Sequence, residues 1–584
     1  MSSWSVIRKS FPLIIAMALL FSMVTVTHFT YLASGNMLFP EQAPRGISIT
    51  RSGTVEGTDK IQASGDTYTL TGDLDESIAV LRDGIVLNGA GYTLRGSGSG
   101  IGIFLQERNH VTIKNLKIAN FQYGIKMTWL IYGGSKPNKS VIISGNNITG
   151  NEYGIAFLQD LPESEISNNY FADNTYAVYS PNEVTFKSNQ FKNNDYCIYD
   201  ELYSEHNIND VDTSNTVNGK PIYYWVNQQN ETVPSNAGWV VLKNCKNITI
   251  QGLNLDDNGG GLLLYKTSNS TINGNVIAHS MNGITLQSSN ENIISSNHIS
   301  GGKGCGIHIA ASDNNNVSKN EITANSKDGI LIEHSNNNIV TGNQIVENDE
   351  AGIVIKVYQA SGDGVTTLSQ NYVSRNGMGV WINNAVRNTV VLNNISDNYD
   401  WGIKLEGTQK DNIIHHNNLI NNNVTQKLQV CITGFWNYTP PHPITNGSRV
   451  YTNSTNSTMP PREIEFIGGS ANFWDNGNEG NYWSDYTSRY PNATEKGSTG
   501  VGTTPFYINE NNMDCHPLMA PVDTSNADVT LPIQPTSQDP QAQQDSLLSA
   551  IIVVPIASVA IISTGLVMYF KKYRIKRSLS PSAL

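Results

Sequence analysis

NQIVENDEAGIVI, residues Asn343–Ile355, is the stretch on which the fold turns. The phrase returns as NEITANSKDGILI at Asn320–Ile332, as NNITGNEYGI at Asn146–Ile155 and as NNISDNYDWGI at Asn393–Ile403. Aligning on its first Asn gives Asn146, Asn169, Asn189, Asn275, Asn297, Asn320, Asn343, Asn371, Asn393 and Asn417, mostly 20 to 24 residues apart. The glycines keep the same count: Gly261, Gly283, Gly306, Gly329 and Gly352 are 22 or 23 apart, and Gly379 and Gly402 follow. A repeat of this length means a solenoid, built either of leucine-rich repeats or of β-helix coils.

The Leu-x-x-Leu-x-Leu frame of leucine-rich repeats is absent. Each unit instead holds three short alternating patches, such as Asn316–Ser318 with Ile322, then Ile330 and Ile332, then Ile339–Thr341. Alternation with period two sends one set of side chains inward and the other outward. The expected fold is all-β: a right-handed parallel β-helix of about 12 coils or more, stacked at roughly 4.8 Å. In it Gly283, Gly306, Gly329, Gly352 and Gly402 mark a bend that needs positive φ or close backbone approach. The repeated Asn forms a ladder of side-chain amides from coil to coil. These residues are scaffold.

The ends carry their own signals. Arg8 and Lys9 precede an apolar run from Phe11 to about Val26 and small residues at Ala33–Gly35, so residues 1–35 form a signal peptide or N-terminal anchor. Leu547–Phe570 is uncharged over 24 residues, long enough for a hydrocarbon core of about 30 Å, and predicts one C-terminal transmembrane helix. Lys571, Lys572, Arg574, Lys576 and Arg577 follow, which places the tail 571–584 in the cytoplasm and the ectodomain outside the cell. Thirteen Asn-x-Ser/Thr sequons, among them Asn138, Asn230, Asn269, Asn437, Asn453 and Asn492, suit that location and a glycoprotein. Between the ends, residues 47–106 form an N-terminal cap and first coils, and 107–428 the repeats, interrupted by an insertion at 201–240. Residues 429–521, rich in Trp, Tyr, Gly and Pro, form a C-terminal cap or accessory region, and 522–546 a linker.

Charge and cysteine content narrow the function. A formal charge of -12 and a pI near 5.4 argue against nucleic acid as a partner. Five cysteines without CxxC spacing indicate neither a zinc site nor a disulfide framework. Cys515, His516 and Met519 are the one tight group of soft-ligand residue types, though neighbours on an extended segment point opposite ways. Asp256 with Asp257, and Asp328, Asp349 and Glu350, are the acids that a stacked catalytic pair would draw on. The paired acids, His-Gly and Arg-x-Lys elements of β-helix pectinases are absent from the coils.

Tyr123, Tyr153, Tyr176 and Tyr196 share one column on successive coils, and Trp401 returns at the equivalent place. Stacked aromatics either stabilise the coils or offer flat faces to sugar rings. The insertion 201–240, with Tyr223, Tyr224 and Trp225, breaks the period beside this column, and projecting loops are where function concentrates.

GIVLNGAGYTLRGSG (84–98), SNTVNGKPIYYW (214–225), GNEGNYWSDY (477–486) and the DCHPLM segment resemble the NosD-like family over roughly 47–521. The resemblance implies a parallel β-helix surface protein of methanogen-type archaea, with a repeat shared with carbohydrate-binding proteins and sugar hydrolases. Namesake members assist copper delivery to a periplasmic nitrous-oxide reductase, so copper enters by resemblance alone; the residues themselves indicate no cofactor. Three functions stand open: a non-enzymatic binder of glycan or envelope partners, anchored in the membrane; a copper-binding protein; and a polysaccharide lyase or hydrolase.

Overall fold

The computed structural model describes residues 46–128, 140–158, 163–199, 208–357, 364–408, 410–423, 429–433, 471–509 and 511–524. The chain divides into two compact units, Met1–Ser525 and Asn526–Leu584, and every described residue belongs to the first. The signal segment 1–35, the span 547–570, the basic tail and nearly all of the linker lie outside the described residues, as do Asn138, Asn437 and Asn453. No helix among the described residues is long and apolar enough to cross a membrane.

The first unit is an all-β, right-handed parallel solenoid of about 14 turns. In the coil that contains Asn343–Ile355 the strands are Asn338–Thr341, Gln344–Val346 and Ala351–Lys356. Val340, Ile345, Ile353 and Ile355 point inward and are fully buried. Register keeps equivalent residues stacked: Ile322 pairs with Ile345, and Ile345 with Val373. The strands are short because the chain must turn three times per coil. Turn residues such as Ala324, Asn337 and Glu347 take positive φ, so the corners are made largely without glycine. Of the repeated glycines only Gly261 takes positive φ; those from Gly283 to Gly352 serve the other purpose. Gly329 and Gly352 do not have positive φ; a Cβ on Gly329 would sit 2.5 Å from Ile345 Cγ2 and 2.6 Å from the Gly352 carbonyl oxygen. Close approach of coils, and not a special dihedral, is what excludes a side chain there.

The solenoid changes face halfway. Thr216–Val217 pairs antiparallel with the strand Lys220–Val226 through Asn218 and Gly219, both at positive φ as a two-residue hairpin of the primed kind demands. Lys220–Val226 then pairs parallel with Trp239–Lys243, and one 16-stranded sheet runs through both halves. Along this junction successive side chains serve different cores. Ile222, Tyr224, Trp239 and Val241 belong to the core of the first half, whereas Val240 and Leu242, with Tyr223 and Trp225 against them, belong to that of the second. Reversing the strand direction alone would invert the hand of the coil. Moving the core to the opposite side of the same sheet reverses it again, so both halves stay right-handed.

The ends are closed differently. At the N-terminal end, antiparallel pairs (Ile47–Ile49 with Val55–Glu56, and Ile61–Ser64 with Thr67–Leu70) lead into the first parallel strands. Antiparallel closure covers edges that would otherwise invite pairing with another chain. At the other end the coil pattern runs past residue 428. Val430–Thr433 still pairs with Ile403–Glu406, and Tyr482–Trp483 pairs parallel with Asn418–Ile420. Trp474, Trp483, Tyr486 and Phe506 then fill the end of the second core.

Candidate functional site

Asparagine ladders organise the corners, with Thr267, Ser289, Ser312 and Ser335 forming a hydroxyl ladder at one of them. Asn275, Asn297, Asn320, Asn343, Asn371, Asn393 and Asn417 each pass an Nδ2–H to the Oδ1 of the next, at 2.9 to 3.0 Å. Each Oδ1 also takes the main-chain N–H of the preceding ladder residue, as at Asn320 and Asn343. In the first half Asn146, Asn169, Asn189 and Asn215 do the same. Further ladders run beside it, among them Asn151 through Asn174 to Asn194, Asn292 through Asn315 to Asn338, Asn325 through Asn348, Asn376 and Asn398 to Asn422, and Asn388 through Asn412 and Asn472 to Asn512. All are buried scaffold.

The tyrosine column is in strict register, Tyr123 against Tyr153, Tyr153 against Tyr176 and Tyr176 against Tyr196. Ring centroids are 4.8, 5.0 and 4.9 Å apart with planes within 11° of parallel. The rings therefore turn their faces to one another, and their edges outward. Tyr179 and Tyr199 form a second stack set edge-on against the first. Lys126 Nζ lies 4.4 Å over the ring of Tyr123 at the start of the column. Burial pushes the phenols of Tyr153, Tyr176 and Tyr196 above the usual range. Trp401 belongs to the second half, where Lys404 Nζ sits 4.6 Å from the ring of Trp381 and 5.7 Å from that of Trp401. The described part of the 201–240 insertion is not a projecting loop: Tyr224 is buried and Tyr223 and Trp225 pack against the second core.

The acids are dispersed. Asp256 pairs with His279 at 2.8 Å and Glu350 with Lys327, both on the surface. Asp328 is buried and accepts the Ala351 N–H at 2.9 Å; burial pushes its carboxyl up to about 6 against that hydrogen bond. Cys305, one coil earlier and also buried, has its thiol pushed up to about 12 by burial, then by Asp328.

The soft-ligand residues of the cap part company. Cys515 is exposed, His516 turns its Nδ1 to Asp475 at 3.2 Å, and Met519 packs against the second core. His415 and His416 precede a ladder Asn and are expected in different columns that do not converge, yet they come together: their Nδ1 atoms are 2.6 Å apart, and His416 Nε2 reaches Glu479 at 2.8 Å. Burial, and then His416, pulls the His415 imidazole down to about 4. The separation of 63 positions between His416 and Glu479 hid this contact; no local spacing encodes it. His416 thus has both ring nitrogens engaged, whereas His415 and His516 each engage Nδ1. Among the described residues no group of three His, Cys, Asp or Glu is arranged to hold a metal.

Two family models match the chain. "Right handed beta helix region" covers 83–236 and 238–361, and its break falls at the face switch. "Periplasmic copper-binding protein (NosD)" covers 305–488. No curated protein matches. Among solved structures the chain is similar to the periplasmic alginate epimerase AlgG (13% identity, 65% of this chain and 80% of that one, TM-score 0.22). It is also similar to the Dettilon tailspike protein (13%, 61% and 62%, 0.27) and to pectate lyase Pel9A (11%, 50% and 86%, 0.25). Scores of this size carry no argument about chemistry.

Proposed function

Because the chain is a NosD-like right-handed β-helix repeat protein, we propose that it serves outside the cell as a non-catalytic binding rod for carbohydrate or other envelope partners. The uncharged segment Leu547–Phe570 and the basic residues after it support single-pass anchoring with the rod outward. The observation that carries the binding role is the tyrosine wall. Six phenols in two interlocked stacks hold a row of ring edges and hydroxyls on one outer face, repeated once per coil. Ring faces are engaged with one another, so a sugar would meet hydroxyls and C–H edges, not a flat stacking platform. Retention of the full chain on immobilised glycans tests the reading. Tyr153→Ala with Tyr176→Ala should abolish retention while the β-sheet signal in circular dichroism persists; unchanged retention removes the tyrosine wall from the binding role.

The NosD family match raises copper as the second reading. The residues as arranged do not fit it: His416 has both ring nitrogens engaged, Met519 packs against the core, and among the described residues no three His, Cys, Asp or Glu converge. Loading the protein with copper under reducing conditions, dialysing it and counting bound metal by mass spectrometry decides the matter. One retained ion per chain would put copper first.

A further inference from the structure

We propose that the corner formed by Asn230, Asn247 and Asn269 is an N-glycosylation site of the rod, with glycans on Asn230 and Asn269; this rests on the extracellular reading above. Along the sequence the thirteen sequons look alike, and the fold sorts them. Asn230-Glu231-Thr232, Asn247-Ile248-Thr249 and Asn269-Ser270-Thr271 begin 17 and 22 positions apart, which hides their relation. Thr232 pairs with Thr249, and Thr249 with Thr271, so the three triplets stand one above another on successive coils. Lys246 likewise bridges Gln229 and Ser268, the residues just before the outer two asparagines.

Each of the three asparagines sits at a turn, with φ of 60°, 54° and 54°, a left-handed conformation that Asn accepts readily, and each is exposed. Ile248 and Ser270 turn inward and are buried, so the Asn and Thr on either side face solvent together. At Asn230 the whole triplet is open, within a run of exposed residues from Asn227 to Thr232. Beyond Asn269 the stack ends, because Glu291 takes the next place in the column. The sequons elsewhere differ. Asn316 and Asn394 lie on strands with their Oδ1 atoms buried, Ser396 is buried against Ser374 Oγ at 3.2 Å, and Asn423 is buried. Asn147 and Asn492 are exposed, but no second sequon stands beside Asn147 on either neighbouring coil.

The modification needs an accessible amide, a hydroxyl two residues on, and room for a bulky product. The donor is an oligosaccharide carried on a polyprenyl phosphate. A bond forms between the Asn Nδ2 and the anomeric carbon, the bond from that carbon to the phosphate oxygen breaks, and the polyprenyl phosphate leaves. The amide gives up one of its two Nδ2 protons and keeps the other. Spacing then selects the ends of the stack. Asn247 has a sequon asparagine roughly 4.8 Å away on either side. Its Nδ2–H is also given to Asn230 Oδ1 at 2.8 Å. Asn230 and Asn269 are two coils, roughly 10 Å, apart, and both can carry a branched glycan. A glycan on Asn316 or Asn394 would have to pull a buried amide out of a strand.

The test is glycopeptide mass spectrometry of the full-length chain isolated from the membranes of the cells that make it. Lys243, Lys246 and Lys266 put the three asparagines on separate tryptic peptides. The expected result is sugar on the Asn230 and Asn269 peptides, with Asn247, Asn316 and Asn394 bare. Thr232→Ala, at an exposed position, should remove the sugar mass from Asn230, and Thr232→Ser should keep it. A bare Asn230 or a bare Asn269 overturns the assignment, as does sugar retained in Thr232→Ala. Sugar on Asn247 to the same extent as on its neighbours overturns the selection by spacing, and sugar on Asn316 or Asn394 overturns the sorting by burial. Labelling of intact cells with a membrane-impermeant amine-reactive biotin reports location separately. A rod that is labelled yet bare overturns this proposal alone; a rod that escapes the label overturns the extracellular reading with it.

Discussion

Asn481 gives its main-chain N–H to the carboxylate of Asp514 at 2.7 Å, which closes the longest asparagine ladder on a buried acid. Ladder amides donate in one direction throughout, from each coil to the next, so the last N–H points out of the array with no further asparagine to receive it. Asp514 supplies the acceptor and also takes the Trp483 Nε1–H at 2.8 Å. Gly480 must be glycine beside it, since a Cβ there would collide with the Asp514 carboxylate. Asp514→Ala leaves two buried donors unpaired and should cost on the order of 3 kcal/mol locally. Amide hydrogen exchange at Asn481 and Trp483 would speed up accordingly, whereas Asp514→Asn, which keeps an acceptor, should change exchange far less.

The cap should also show opposed acid responses. His415 is held neutral, with its imidazole down at about 4, so its contribution is complete above the unfolded value of about 6.5 and is lost as pH falls from there toward 4. Asp514 runs the other way. Burial pushes its carboxyl up to about 6, above the unfolded value near 3.9, so its contribution is present at low pH and is lost as pH rises through that window. The two offset each other between about pH 4 and 6. Asp514→Asn removes one of them, so opening of the cap should become steeply acid-sensitive over this range while the unaltered chain responds weakly. Hydrogen exchange at pH 4.5 and 6.5 checks this; equal slopes in the two proteins would refute it.

The coils were legible because a solenoid writes its geometry locally. Asn343 and Ile345 repeat at the coil period, and that alone stacks Asn320 on Asn343 and Ile322 on Ile345. The face switch was not legible, although Asn218–Gly219 is a hairpin signal in SNTVNGKPIYYW. Alternation along Lys220–Val226 says that two faces differ, but both are covered by core, so neither looks like a surface. The residues at 471–483 read as a separate region because an intervening stretch broke the period, yet Asn472 and Asn481 take their places in the ladders of Asn412 and Asn417. The tyrosine column was legible as a column, while the direction of its ring faces follows from the coil spacing, which is close to aromatic stacking distance.

Mid-ladder positions should be far more sensitive than their polarity suggests. Asn320 receives the N–H and the Nδ2–H of Asn297, and gives its own Nδ2–H to Asn343 Oδ1 and to the Ile294 carbonyl. Asn320→Ala removes these bonds and leaves the buried Asn297 N–H unpaired, for a loss of about 3 kcal/mol. Asn320→Asp should be worse at neutral pH, because a buried carboxylate cannot donate to either acceptor. Urea unfolding of the three proteins gives the order; an aspartate variant as stable as the parent would rule out the donor role.

Two glycines that look alike in sequence should fail for different reasons and by different amounts. Gly274 has φ of +63° with open space around it, so Gly274→Ala costs only the left-handed conformation, about 1–2 kcal/mol. Gly329 has an ordinary backbone, but its new methyl would meet Ile345 Cγ2 at 2.5 Å and the next coil's carbonyl at 2.6 Å. A methyl wedged between coils must push them apart, at about 1–3 kcal/mol or more, because the backbone cannot give way as a side chain would. Removing the obstacle separates the cases. Ile345→Leu moves the branch from Cβ to Cγ, which takes away the Cγ2 methyl that the new Cβ would strike, and should recover part of the loss in Gly329→Ala but none in Gly274→Ala. Thermal unfolding of the two single variants and their Ile345→Leu combinations measures this coupling, and additive losses at Gly329 would show that the Ile345 contact is not the cause.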